Sequence, residues 1–249
     1  MKRLLSVQGI HAYYGTSHIL FGVSIDIEEG EAVALLGRNG AGKSTTLRSI
    51  MGLTRPKEGK IIFDGQDITG WDTHRIAQMG IAYVPEDRQI FPALTVYENL
   101  DLGINRKHPG RFDIKTASEI FPVLSTMLNR PTTMISGGEQ QMLSIARSLM
   151  MDPKLLLLDE PLEGLSPLVV KELDNKIKEL KKQGITILLT EQNIRFAMDL
   201  CDKVYVIDKG TLKYQGSVEE FRGDKDIQER YLHVSGSGGR ERHAERKRH

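Results

Sequence analysis

One stretch constrains this 249-residue chain more than any other: Gly37-Arg38-Asn39-Gly40-Ala41-Gly42-Lys43-Ser44-Thr45. It fits G-x-x-x-x-G-K-[ST], and its flanks read as the two elements such a loop joins. Ala32–Leu36 before it is a short apolar run, as expected of a strand buried on both faces, and a helix is expected after it from about Lys43 to Met51. Glycines let the backbone curl until successive N–H groups face one anion, and the positive end of the helix dipole faces the same point. The pattern predicts a phosphate cradle, with Lys43 reaching the outer phosphates of a nucleotide and the Ser44 hydroxyl on Mg²⁺.

A cation bridging phosphates needs an acid opposite the loop. Leu155–Leu158 is a four-residue apolar run that ends in Asp159 and Glu160. Asp159 is placed to hold Mg²⁺ through water, and Glu160 to orient or deprotonate an attacking water. Together with the glycine loop this predicts a site that hydrolyses a nucleoside triphosphate.

A second glycine-opened helix start, Ser136-Gly137-Gly138-Glu139-Gln140, stands between these two motifs. One reading is a plain capping box, with Ser136 capping and Glu139 replying. Against it, each glycine in a first helical turn costs about 1 kcal/mol of helix propensity unless something needs close backbone approach. A head-to-tail pair of chains would supply that something, the second loop of one closing over the γ-phosphate held by the other.

Around these motifs, Leu20–Ile27, Ile61–Phe63 and Ile81–Val84 read as strands, followed by a helical stretch from Glu86 to about Met151 that includes a second capping box at Thr95 and Glu98. Strand signals return at Leu155–Leu158, Ile185–Leu189 and Val204–Ile207, with a helix carrying Val169, Leu173, Ile177 and Leu180 on its buried face. The alternation predicts an α/β fold, a largely parallel sheet covered on both sides and interrupted by a helical insertion. After Val234 the chain turns to Gly/Ser and then to five basic and two acidic residues, a composition expected to stay flexible. The net charge of +1 gives no overall attraction to nucleic acid or anionic lipid, and no nucleic-acid partner is expected. A single cysteine, Cys201, suits a reducing compartment. No run approaches the ~20 apolar residues of a membrane span, so at a membrane other chains must do the crossing.

The phosphate loop, "SGGEQQ" and the apolar strand with Asp-Glu, in that order, resemble the ATPase subunit of an ABC transporter across roughly residues 3–233. The resemblance implies a P-loop NTPase fold: a RecA-like core (1–85 and 152–233) with an antiparallel β part, an inserted helical subdomain (86–151) carrying the signature residues Ser136–Gln140, and a tail (234–249). It implies ATP and Mg²⁺ as cofactors. Gly37 to Thr45 would bind ATP, and an upstream aromatic would stack on adenine, at Tyr14 or alternatively Tyr13. The implied partners are a second ATPase subunit, identical or not, two transmembrane permease subunits and, indirectly, an extracytoplasmic solute-binding protein. The implied location is peripheral, on the cytoplasmic face of the membrane.

Three positions depart from the family pattern. Glu86 stands where Gln usually contacts metal, water and the membrane partner; Gln192 stands where His usually contacts the γ-phosphate; and Ser166 replaces an Asp. Gln192 can donate a hydrogen bond but is never cationic. "VPEDRQIFPALTVYENL", "DEPLEGLSPLVV" and "TEQN" resemble the ATPases of branched-chain amino-acid importers, where Glu and Gln are usual at the first two positions. The catalytic set implied is therefore Glu160, Gln192 and Glu86, with Ser44, Asp159 and Glu86 at the metal. Gln89, Ile90, Phe91 and Pro92 would lie near the surface that meets a membrane subunit, the alternative for Phe91 and Leu94 being subdomain core. Importers of urea or short amides, a soluble ABC ATPase acting on nucleic acid or the ribosome, and a subunit that binds ATP without turnover are the competing readings.

Overall fold

The computed structural model of the chain describes residues 2–104 and 110–232, so the tail expected to be flexible lies outside the described residues. Six strands form the central sheet: β3 (Ala32–Leu36), β6 (Ile81–Val84), β7 (Leu155–Asp159), β8 (Thr186–Glu191), β9 (Lys203–Asp208) and β10 (Thr211–Ser217), in the order β10-β9-β3-β8-β7-β6. All neighbours run parallel except β9 and β10. A second, antiparallel sheet is ordered β2-β1-β4-β5, from β1 (Arg3–Tyr14), β2 (Ser17–Glu28), β4 (Glu58–Phe63) and β5 (Gln66–Asp67).

Central strands read as unbroken apolar runs because both faces are buried, and alternate side chains enter two different cores. Ala34, Leu36, Leu156, Leu158, Ile187 and Leu189 join one core with Leu100, Leu143 and Leu149 of the insertion and Leu173, Ile177 and Leu180 of α7 (Pro167–Lys182). Val33, Leu35, Leu155, Leu157 and Leu188 face the other way, toward Leu5, Ile10, Leu20 and Ile25 of the antiparallel sheet and Leu47 and Ile50 of α1 (Lys43–Ile50). Each such leucine contributes about 1.5–3 kcal/mol by burial. Pinned on both faces, the sheet gives its strand ends a rigid platform, and the loops after β3, β7 and β8 emerge from it side by side.

Between β6 and β7 lie α3 (Val96–Asp101), α4 (Ile114–Ile120), α5 (Pro122–Ser125), a 3₁₀ turn at Thr132–Met134 and α6 (Gly137–Leu149). The helical stretch thus begins about ten residues later than Glu86, residues 85–95 forming a loop that precedes the Thr95 cap. The 12-residue β1, which precedes the Leu20–Ile27 strand expected from sequence, has four register irregularities against β2, and these break the alternation that would have marked it. Elements α2 (Thr73–Gln78), β10, α9 (Val218–Gly223) and α10 (Lys225–Leu232) add to those expected. Cys201 follows α8 (Ile194–Leu200) and is buried, which pushes its thiol well above the usual range.

Candidate active site

The loop after β3 curls as its sequence demands. Gly42 caps α1 with φ at +111°, a conformation that side chains rarely adopt, and a Cβ there would press on the Leu20 Cδ2 methyl at 2.8 Å. No side chain caps this helix start. The Lys43 ammonium is 3% exposed and folds back over its own loop, donating to the carbonyls of Gly37 (2.9 Å) and Arg38 (3.1 Å) and pairing with Glu160 Oε1 at 2.9 Å. Asn39, Gly40, Gly42, Lys43, Ser44 and Thr45 line a cavity of about 400 Å³, closed on other sides by Tyr14, Ile19, Glu86 and Glu160. Arg38 and Ala41 do not line the cavity: the Arg38 guanidinium donates to the Arg230 carbonyl on α10, and the carbonyl of buried Ala41 accepts from Gly210.

On the acidic side, Asp159 is almost fully buried at the end of β7. Its Oδ1 accepts from Ser44 Oγ at 3.0 Å and Thr190 Oγ1 at 2.6 Å, and its Oδ2 accepts from Tyr83 Oη at 3.0 Å. Burial and the neighbouring Asp159 charge push the Tyr83 phenol up, so it stays a donor. Ser44 and Asp159 are a hydroxyl and a carboxylate, the oxygen donors a hard cation takes. Among the described residues there is no cluster of three or more His, Cys, Asp or Glu that could cage a metal. A cation here would complete its shell with water and phosphate oxygens, which suits Mg²⁺.

Glu160 adopts φ of +44°, a strained conformation for a residue with a side chain. Burial raises its carboxyl, but hydrogen bonds from Glu163, Lys43 and Gln192 outweigh that and hold it below the ordinary range. Gln192 Nε2 lies 2.7 Å from both Glu160 Oε2 and Asn39 Oδ1, bridging acid and phosphate loop. Glu86 is exposed but lines the same cavity, its carboxyl raised by partial burial and then by the charges of Glu160 and Asp159.

The two upstream tyrosines point different ways. Tyr14 lines the cavity, whereas Tyr13 stacks on His18 at 4.1 Å with the Lys57 ammonium over its ring. Phe91 is half exposed with the Arg147 guanidinium over it, so it is not subdomain core, while Leu94 is partly buried.

The signature residues do not line this cavity. At the start of α6 the capping box is complete: Glu139 N–H donates to Ser136 Oγ (3.3 Å) and Ser136 N–H to Glu139 Oε2 (2.6 Å). Gln140 Nε2 donates to the carbonyls of Ile135 (3.3 Å) and Thr132 (3.4 Å). One of the two glycines, Gly138, has an intramolecular reason. A Cβ on Gly138 would stand 2.9 Å from two methyls of Val169 on α7, and one on Gly137 would meet only the flexible tip of Arg88. Gly138 is therefore required by packing whether or not an anion binds.

Four residues escaped the sequence reading: Tyr83, Thr190, Glu163 and Glu191. Glu163 closes a turn onto the Glu160 carbonyl, and its side-chain hydrogen bond with Glu160, then burial, push its carboxyl up to about 7. Glu191 is buried, accepts the N–H groups of Gln192 and Asn193 at 3.2 Å on Oε2, and is raised to about 7 chiefly by burial. A polar pair, Thr190-Glu191, ending an apolar strand beside the Asp159 strand was the signal available for two of them.

Residues 20–163 match the ABC transporter family. The high-affinity branched-chain amino acid transport ATP-binding protein BraG of Pseudomonas aeruginosa is 37% identical over 92% of this chain and 99% of its own length. The lipopolysaccharide export system ATP-binding protein LptB of Haemophilus influenzae is 35% identical over 92% and 97%. An ATP-binding cassette of an ABC transporter, solved in its ADP conformation, superposes with a TM-score of 0.79 at 28% identity, covering 92% of this chain and 98% of that one. A dimeric bacterial ABC transporter cassette gives 0.76 at 25%, covering 86% and 99%. With the glycine loop, the Asp159–Glu160 pair and the signature helix all in place, the chain belongs to the ABC transporter family and is the nucleotide-binding, ATP-hydrolysing subunit of such a transporter.

Proposed function

We propose that this ATPase powers import of branched-chain or other hydrophobic amino acids from the cytoplasmic face of a membrane, with a second ATPase subunit, two permease subunits and, indirectly, an extracytoplasmic solute-binding protein. The observation that carries the reading is the 37% identity to BraG over nearly the whole of both chains, in company with Glu86 at the cavity and Gln192 bonded to Glu160 and Asn39 of its lining. The dimeric cassette of the same fold supports a pair of ATPase subunits. Residues 1–85 and 152–233 then act as the nucleotide-binding core, and 86–151 as the subdomain that presents Ser136–Gln140 to the nucleotide of the partner.

Chemically, the loop N–H groups and Lys43 take the triphosphate. Doing so exchanges the Lys43–Glu160 pair for a Lys43–phosphate pair and releases Glu160 Oε1 toward an attacking water. Ser44 and Asp159 are the residues that would hold Mg²⁺, which would supply charge neutralisation at the phosphates. Gln192 keeps Glu160 aligned with Asn39 and contributes a neutral donor. Tyr14 offers its ring to adenine.

LptB similarity favours a second reading, export of lipopolysaccharide, and a urea or short-amide importer is a third. Deleting this chain and following uptake of labelled leucine, isoleucine, valine, urea and acetamide separates them. Loss of branched-chain uptake is expected. Intact branched-chain uptake with lost urea or acetamide uptake would redirect the substrate, and intact uptake of all five with depleted surface lipopolysaccharide would reverse the direction.

A further inference from the structure

Asp159 and Thr190 are register partners at the carboxyl ends of adjacent parallel strands β7 and β8. By strand alternation both point to the face that carries α1, as does Tyr83 of β6. Thr190 is fully buried, and its one hydroxyl makes two bonds: it donates to Asp159 Oδ1 (2.6 Å) and accepts the Glu160 N–H (3.0 Å). The proton assignment is forced, because a backbone N–H can only donate and a carboxylate can only accept. The Thr190 carbonyl also accepts the Glu160 N–H at 3.2 Å, so this one residue holds the strained Glu160 backbone from two atoms. Tyr83 closes the other oxygen of Asp159 at 3.0 Å.

We propose that Thr190, seconded by Tyr83, is a positioning residue for hydrolysis: a single buried hydroxyl sets the metal-holding carboxylate and the water-activating carboxylate in fixed relation. The inference rests on the roles given above to Asp159 and Glu160. Ser44 is already on Asp159 Oδ1 and must turn toward a bound cation. When it does, Thr190 is what keeps that oxygen satisfied and the carboxylate from rotating. Partners of this kind are worth ~10–100-fold in metal affinity or activity. A threonine that merely filled space would be replaced by valine without touching the metal.

The test uses the full chain with Mn²⁺ as the probe, its dissociation constant read by electron paramagnetic resonance in the presence of ADP, beside kcat and KM for ATP and nucleotide affinity in EDTA. Thr190→Val should weaken Mn²⁺ binding and lower kcat, each by ~10–100-fold, with EDTA nucleotide affinity and KM little changed. Thr190→Ser should recover most of the loss, and Tyr83→Phe should weaken Mn²⁺ measurably. Wild-type Mn²⁺ affinity and kcat in Thr190→Val, while Asp159→Asn loses the metal, would overturn the clamp alone. Wild-type Mn²⁺ affinity in Asp159→Asn would overturn the assignment of Asp159 and the clamp with it. Should Thr190→Val also lose nucleotide in EDTA, Tyr83→Phe decides, and unchanged Mn²⁺ affinity there sinks the proposal.

Discussion

The two glycine-opened helix starts look alike in sequence and are opposite in construction. At α1 no side chain caps the first turn, and the glycine cap is left-handed with Lys43 folded over it. At α6 the cap is a closed box, and the buried glycine is there because α7 leans on it. The first start is built around a ligand to come; the second is satisfied within the chain. An internally closed cap makes the α6 start stable by itself. Glycine content alone therefore does not say why a helix start carries glycine: at α1 the loop conformation asks for it, at α6 the packing of a neighbouring helix does.

That contrast can be broken in graded steps. The largest effect belongs to the acid facing the first start: Glu160→Gln should lower kcat by ~10²–10⁴-fold while nucleotide still binds, accumulating a nucleotide-loaded pair in gel filtration. Wild-type turnover would remove Glu160 from its role. Lys43→Ala should weaken nucleotide affinity by ~10–100-fold, the worth of a charged hydrogen bond, measured with a fluorescent ATP analogue. At the second start, Gly138→Ala should cost about 1–3 kcal/mol in denaturant unfolding through overpacking against Val169. Combining it with Val169→Ala should return part of that loss, and full additivity would contradict the packing account. Ser136→Ala should cost about 1 kcal/mol of stability through the lost cap. A drop in ATPase activity well beyond that would mark Ser136 as facing the partner's nucleotide.

A last effect is set by pH. Burial raises the Glu191 carboxyl from 4.5 to about 7, so across that interval the folded chain binds more protons than the unfolded one. Stability contributed by this group is full below the lower value and is lost as pH rises through the interval. Thermal scans at pH 5 and 7.5 should therefore differ less in Glu191→Gln than in the natural chain, and an unchanged difference would assign the slope elsewhere.

How much of this was legible in the sequence follows from how local each feature is. The glycine loop, the Asp159–Glu160 pair and the capping boxes at Thr95 and Ser136 are held by residues within a few positions of one another, and spacing sufficed. Thr190 and Tyr83 meet Asp159 only because sheet order sets β8 and β6 on either side of β7, information no local pattern carries. The same holds for Gly138, whose reason stands on another helix. Tyr13 and Tyr14 are adjacent, and only the β1–β2 pairing settles which one faces the cavity. The first strand was obscured by its own irregular register.

Cys201, the chain's one cysteine, lies buried with its thiol held protonated. Reactivity toward maleimides tracks the exposed thiolate, so the natural chain should be nearly inert to such labels. A cysteine placed at exposed Ser136 would then be its sole ready thiol, and a spin label there would report on the start of the signature helix as nucleotide is added.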